Sequence, residues 1–113
     1  MVRRLVQGWL RKVQAHYQYD QVRLLDARGV TRLSEPAVLP PSSVVITRRV
    51  SDVVRTREIA FQDFYLNEHD HRPYLALLVP ILDTHGGDRV IGVVTLRINP
   101  ESYLYPFISF WPS

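Results

Sequence analysis

The chain has no cysteine, which excludes disulfides, thiolate nucleophiles and thiolate metal ligands. Lysine is nearly missing too: of 14 basic residues all but Lys12 are arginine. Long apolar runs are absent. The run from Tyr74 to Leu82 falls far short of the ~20 residues that a membrane-spanning helix needs. Arg3, Arg4 and Gly8 interrupt Val2 to Leu10, and no small-residue cleavage site accompanies them, so no secretory signal is expected. The charge excess is small, +3, and its arginines are spread along the chain without a dense basic run, which argues against nucleic-acid binding. Enzyme signatures are missing as well: no GxSxG, phosphate loop, HExxH or dinucleotide fingerprint is present, so neither an enzyme nor a bound cofactor is expected.

What is present suits one globular domain: 113 residues, 46% apolar and 22% charged. In residues 2–17, Val2, Leu5, Val6, Trp9, Leu10 and Val13 recur at helical spacing and form one stripe. That helix packs on the chain's own sheet, with a dimer seam or a membrane-surface helix as rival readings. Residues 20–26 form a strand, Ala27-Arg28-Gly29 a turn, and Val30 to Leu33 a returning strand. Pro36, Pro40 and Pro41 then take the chain out of the sheet. Residues 42–56 carry Val45, Ile46, Val50, Val53 and Val54 largely on one helical face, behind a capping serine at 42 or 43, and are read as a helix.

Three strands follow. Residues 59–66 form the first, with Ile59, Phe61, Asp63 and Tyr65 on one face by simple alternation. Residues 74–83 form the second, apolar on both faces, which calls for cover on both sides of the sheet. A glycine turn at His85–Asp88 leads to the third, 89–98, and Asn99 to Ser102 opens a short helix over 101–108. The fold class is therefore α+β: a five-stranded antiparallel sheet with a long N-terminal helix and a helical crossover, leaving a concavity between sheet and crossover.

This arrangement resembles the PAS-like extracytoplasmic sensor modules called Cache domains. The likeness is carried by Val79-Pro80-Ile81, by the strand Val90 to Ile98 after a glycine turn, by the exit NPESYLYPFI, and by the hairpin Val22 to Pro36. It implies one sensor domain over 1–113: the helix at 1–18, the sheet and crossover at 20–98, and an exit segment at 99–113. It also implies the periplasmic part of an inner-membrane signalling protein, such as a sensor histidine kinase in a two-component system, joined to the membrane only through flanking helices that these residues do not include. No kinase, cyclase or other output can be read here. The Tyr, Arg, Trp-Tyr and Asp signature of amino-acid-binding double Cache domains is not found in one segment, so no ligand contacts are carried over.

Five residues are candidates for ligand binding. Asp63 lies among aromatics, where a carboxylate must be paired, solvated or hydrogen-bonded; it contacts a ligand amine or hydroxyl, or it pairs with an arginine such as Arg97. Arg72, between Tyr65 and Tyr74, offers a fork for a carboxylate, or else sits free on a turn. Arg97 faces either the concavity or solvent. His69 and His71, with Glu68 and Asp70, form the one metal-like cluster, and the missing third well-spaced ligand makes a solvated turn the expected state. The resulting expectation is a non-enzymatic sensor that binds a small organic acid or amino acid and forms a homodimer through the N-terminal helix, with Trp9 and Leu10 as seam residues. Two alternatives stand beside it. One is a ligand-free dimerisation module whose concavity is filled by Phe61, Tyr65 and Tyr74; the other is a small cone-shaped enzyme with Asp63 as base.

Overall fold

The computed structural model describes residues 2–17 and 19–101. In chain order they form α1 (Val2–Tyr17), β1 (Gln21–Leu25), β2 (Thr31–Glu35), α2 (Val44–Thr56), β3 (Ala60–Leu66), β4 (Pro73–Asp83) and β5 (Arg89–Ile98). The five strands make one antiparallel sheet in the order β2-β1-β5-β4-β3. The last strand therefore enters the middle, between the N-terminal hairpin and β4. The proposed helix at 101–108 and most of the exit segment lie outside the described residues.

Local chemistry explains the boundaries. Asp26 takes the amides of Arg28 (2.9 Å) and Val30 (3.0 Å) on one carboxylate oxygen, and Gly29 supplies φ 90° for the β1–β2 turn. Ser43 caps α2 by accepting the Val45 amide at 3.2 Å, and Arg57 ends the helix in the left-handed region at φ 61°. Residues 44–56 thus form the expected helix behind a serine cap, and the buried side chains are Ile46, Val50 and Val53 at helical spacing.

The two faces of the sheet are covered differently. Against α2, a core forms from Leu25, Val93, Leu78, Ala76, Tyr74 and Tyr65 with Ile46, Val50 and Val53. On the other face, α1 lies across β1 and β2, and Leu10 packs with Val22 and Val94. The expected burial of β4 on both faces is not what forms. Tyr74, Ala76 and Leu78 are buried toward α2, whereas Leu75, Leu77 and Val79 are only half-buried, because α1 sits over the far side of the sheet from β4. Leu10 is fully buried inside the chain, so it cannot serve as a dimer seam, while Trp9 remains half exposed.

The alternation expected along β3 is also corrected. Its register against β4 shifts between Gln62 and Tyr65: Gln62 faces Ala76 and Tyr65 faces Tyr74. The extra residue is a bulge, which puts Tyr65 on the α2 side with Ala60 and Gln62 and leaves Phe61, Asp63 and Phe64 exposed.

Candidate ligand cleft

At the end of the sheet nearest the α2 N-terminus, the α2-facing surface turns polar. A narrow cleft is lined by Arg23, Arg97, Tyr65, Asn67, Thr95 and Ser43, among others. The strands set this composition by register: Gln21 faces Arg97 and Arg23 faces Thr95 across β1 and β5, so all four side chains share one side of the pleat. Ser42 and Ser43 arrive from the proline-rich loop, and Asn67 from the start of the β3–β4 turn. The inner part is narrow, with room for about one water.

Arg97 is the hub of one hydrogen-bond network. Its Nε donates to both carboxylate oxygens of Asp20, at 3.0 and 3.1 Å, and its Nη2 to Oδ2. Burial disfavours its charge, but the hydrogen bonds and charge of Asp20 outweigh that and raise its pKa above the ordinary arginine value. Its guanidinium lies 3.7 Å above the centre of the Tyr74 ring. The Tyr74 hydroxyl in turn donates to Asp70. Burial, joined by that bond, pushes the Tyr74 phenol up to about 12, and burial does the same for Tyr65. Asp70 is held below the usual carboxylate range despite its desolvation, by the Tyr74 hydroxyl and the Arg72 amide.

Arg23 has a different environment. Only 6% exposed, it donates to the side-chain oxygen of Gln21 (3.2 and 3.3 Å), the Thr31 hydroxyl (3.0 Å) and the Pro40 carbonyl (2.8 Å). Burial and the nearby Arg97 lower its pKa from the ordinary arginine value. Its bond to Pro40 ties β1 to the loop that closes one side of the cleft.

Of the five sequence candidates, the structure brings three together and leaves two outside. Tyr65 and Arg97 line the cleft, and Tyr74 lies beneath Arg97. Asp63 is exposed on the β3 bulge, where its carboxylate accepts the Phe64 amide at 2.8 Å; Arg97 pairs with Asp20 instead. Asp63 does not line the cleft, so the arrangement needed for a buried catalytic base is not formed there. Arg72 is exposed on the β3–β4 turn and pairs with Glu101 at 3.5 Å. Phe61 is half exposed on the opposite side of the sheet and does not fill the concavity. In the turn, His69 Nε2 lies 3.6 Å from a Glu68 carboxylate oxygen, and no group of three or more potential metal ligands gathers among the described residues.

Sequence reasoning missed Arg23, Gln21, Ser42, Ser43, Asn67 and Thr95. The available signal was parity: an arginine two residues from Leu25 in an otherwise apolar strand shares the face of that leucine.

No family model and no curated protein matches the sequence. Solved structures do match. The sensor domain of the V. cholerae histidine kinase DctB superposes with a TM-score of 0.67 at 17% identity, over 88% of this chain and 38% of that one. The ligand-binding domain of the Pseudomonas aeruginosa amino-acid chemoreceptor PctC, solved with GABA, gives 0.67 at 15% identity over 94% and 50%. That of the Pseudomonas fluorescens chemoreceptor CtaA, solved with L-serine, gives 0.62 at 13% identity over 88% and 43%. The chain shares the PAS-like fold of these sensor and ligand-binding domains. The chain spans half or less of each of these solved structures. No helix among its described residues is long and apolar enough to cross a membrane.

Proposed function

We propose that this chain is the extracytoplasmic ligand-sensing domain of a bacterial signal-transduction receptor, and that it binds a small organic acid or amino acid in the cleft beneath the α2 N-terminus. The observation that carries this reading is the cleft itself: two arginines, two serines, an asparagine and a tyrosine converge at one end of an otherwise apolar sheet face. PAS-like domains of chemoreceptors solved with GABA and L-serine support it. The cleft holds about one water, so a ligand of several heavy atoms enters only if the loop at 36–43 or α2 moves. A ligand that binds the opened form more tightly than the closed one shifts the population between them. Asp20 links the cleft to α1, since its carboxylate holds Arg97 and its carbonyl accepts from the Gln14 side chain at 3.2 Å.

The role is non-enzymatic, and the output belongs to parts of the receptor beyond this domain. A homodimer through α1 belongs to the same reading and is supported by the exposed Leu5 and Trp9. Light scattering of the wild-type chain and of Trp9→Ala tests it, the expected result being a dimer that Trp9→Ala weakens. The ligand reading is tested by thermal shift with small acids and amino acids. A ligand at ~100 times its dissociation constant adds roughly 2.7 kcal/mol. Ala76 is 1% exposed on the cleft floor. Ala76→Leu fills that floor and is expected to abolish the shift, and a shift that persists unchanged in a folded Ala76→Leu variant counts against the cleft as the site.

A further inference from the structure

The charges around the cleft separate the two ligand classes left open above. Among the described residues the only ionised side chains that line it are Arg23 and Arg97, and no described carboxylate does. Arg97 already has a counterion in Asp20. Arg23 has no ion-pair partner among the described residues, since Gln21, Thr31 and Pro40 are all neutral acceptors and the charge of Asp20 reaches it only from a distance. Those bonds engage four of its five N–H groups, and the remaining one, on Nη1, has no acceptor among the described residues. A guanidinium buried with neutral partners alone keeps an unmet demand for negative charge, and its planar fork matches a carboxylate.

The nearby acids are committed elsewhere. Asp20 is on Arg97. Glu68 accepts the Ser43 hydroxyl at 3.2 Å and the Val44 amide at 3.3 Å, at the start of α2. Asp70 accepts the Tyr74 hydroxyl and the Arg72 amide. An ammonium group brought into the cleft would therefore meet two guanidinium groups and the positive end of α2, with no lining carboxylate to receive it.

We infer that the ligand is a small organic acid without an ammonium group, its carboxylate paired with Arg23; this rests on the ligand-sensing reading above. The cleft thereby differs in selectivity from same-fold domains solved with GABA and L-serine. Ser42, Asn67 and Thr95 offer hydrogen bonds to a hydroxyl or second carboxylate on the same ligand. Because Arg23 also holds Pro40, a carboxylate arriving on its guanidinium acts directly on the loop that closes the cleft.

The test is calorimetric titration and thermal shift at constant ionic strength with acetate, pyruvate, succinate and L-malate, and in parallel with L-serine, GABA and putrescine. Wild type and Arg23→Gln are compared, with far-UV circular dichroism confirming the fold of the variant. The expected result is stabilisation of wild type by at least one of the acids, none by the amino acids or putrescine, and binding about 10- to 100-fold weaker in Arg23→Gln. Equal or stronger stabilisation by an amino acid or putrescine overturns the inference and leaves ligand sensing standing. Unchanged acid affinity in folded Arg23→Gln overturns the role of Arg23. A panel in which nothing shifts wild type overturns the inference and counts against the ligand reading beneath it. If Arg23→Gln does not fold, the wild-type selectivity between the acids and the amines decides alone.

Discussion

Within two to four residues along the central strands the α2-facing surface turns from aliphatic to more polar, and on β1 and β5 to charge. Leu25 gives way to Arg23 on β1, Val93 to Thr95 and Arg97 on β5, and Leu78 to Ala76 and Tyr74 on β4. The same helix covers both ends. Its Val50 and Val53 seal the apolar end, while its serine-capped N-terminus faces the polar one. The apolar end has what a core needs: fully buried Leu25, Leu78, Val53 and Val93, each side chain contributing about 1.5–3 kcal/mol by leaving water. The polar end buries two guanidinium groups, which is unfavourable unless hydrogen bonds and counter-charges offset it. Stability and recognition are thus divided along one face, and substitutions at the two ends should have separable effects.

The largest expected effect is at the apolar end. Leu78 is fully buried, and Leu78→Ala should destabilise the fold by about 2–5 kcal/mol in chemical denaturation while leaving ligand selectivity intact wherever the protein remains folded. At the polar end, Asp20→Asn leaves the largely buried Arg97 without its counter-charge. A loss of about 1–3 kcal/mol is expected in the same measurement, together with altered ligand affinity. An unchanged affinity would separate the Arg97 network from recognition and confine that role to Arg23. Also at the polar end, Ser43→Ala removes the α2 cap and the donor to Glu68, and should cost about 1 kcal/mol of stability.

The smallest effect is one of pH. The phenols of Tyr65 and Tyr74 are pushed up to about 12, chiefly by burial. In the unfolded chain a tyrosine ionises near pH ~10, so their contribution to stability is full below that and is lost as pH rises toward the folded value. Absorbance titration of the phenolate should show two late steps, one removed by Tyr65→Phe and one by Tyr74→Phe. Ionisation of both near pH ~10 in the folded protein would mean that the polar end is wetter than described.

How much of this was legible in the sequence follows the same division. The α1 helix, the β4–β5 hairpin with its glycine turn, and the order of helices and strands along the chain could be read from periodicity and turn chemistry. The cleft was harder to read. Arg97 and Tyr74 were singled out, but nothing local to Arg97 said that it faced inward, since its partner Asp20 lies 77 residues away. Arg23 was not singled out: arginine is usually exposed, and only the position of α2 makes its face an interior one. Tyr65 was grouped with Asp63 and Phe61 because a bulge leaves no mark on an alternating pattern, yet it reverses every side chain after it: Tyr65 enters the cleft while Asp63 stays exposed. Asn67 reads as a turn residue, and it is one: its backbone carbonyl accepts the His71 amide at 2.8 Å, while its buried side chain accepts the His69 amide at 2.8 Å at the edge of the cleft.

The most direct test is an amide chemical-shift titration of the labelled chain with succinate and L-malate. Ligand binding beneath α2 predicts perturbations clustered at Gln21, Arg23, Ser42, Ser43, Asn67 and Thr95, and loss of that pattern in Ala76→Leu. Perturbations confined to the apolar groove beside α1, at Trp9, Val13, Val79 and Leu96, would contradict the central claim, as would a spectrum that neither acid changes.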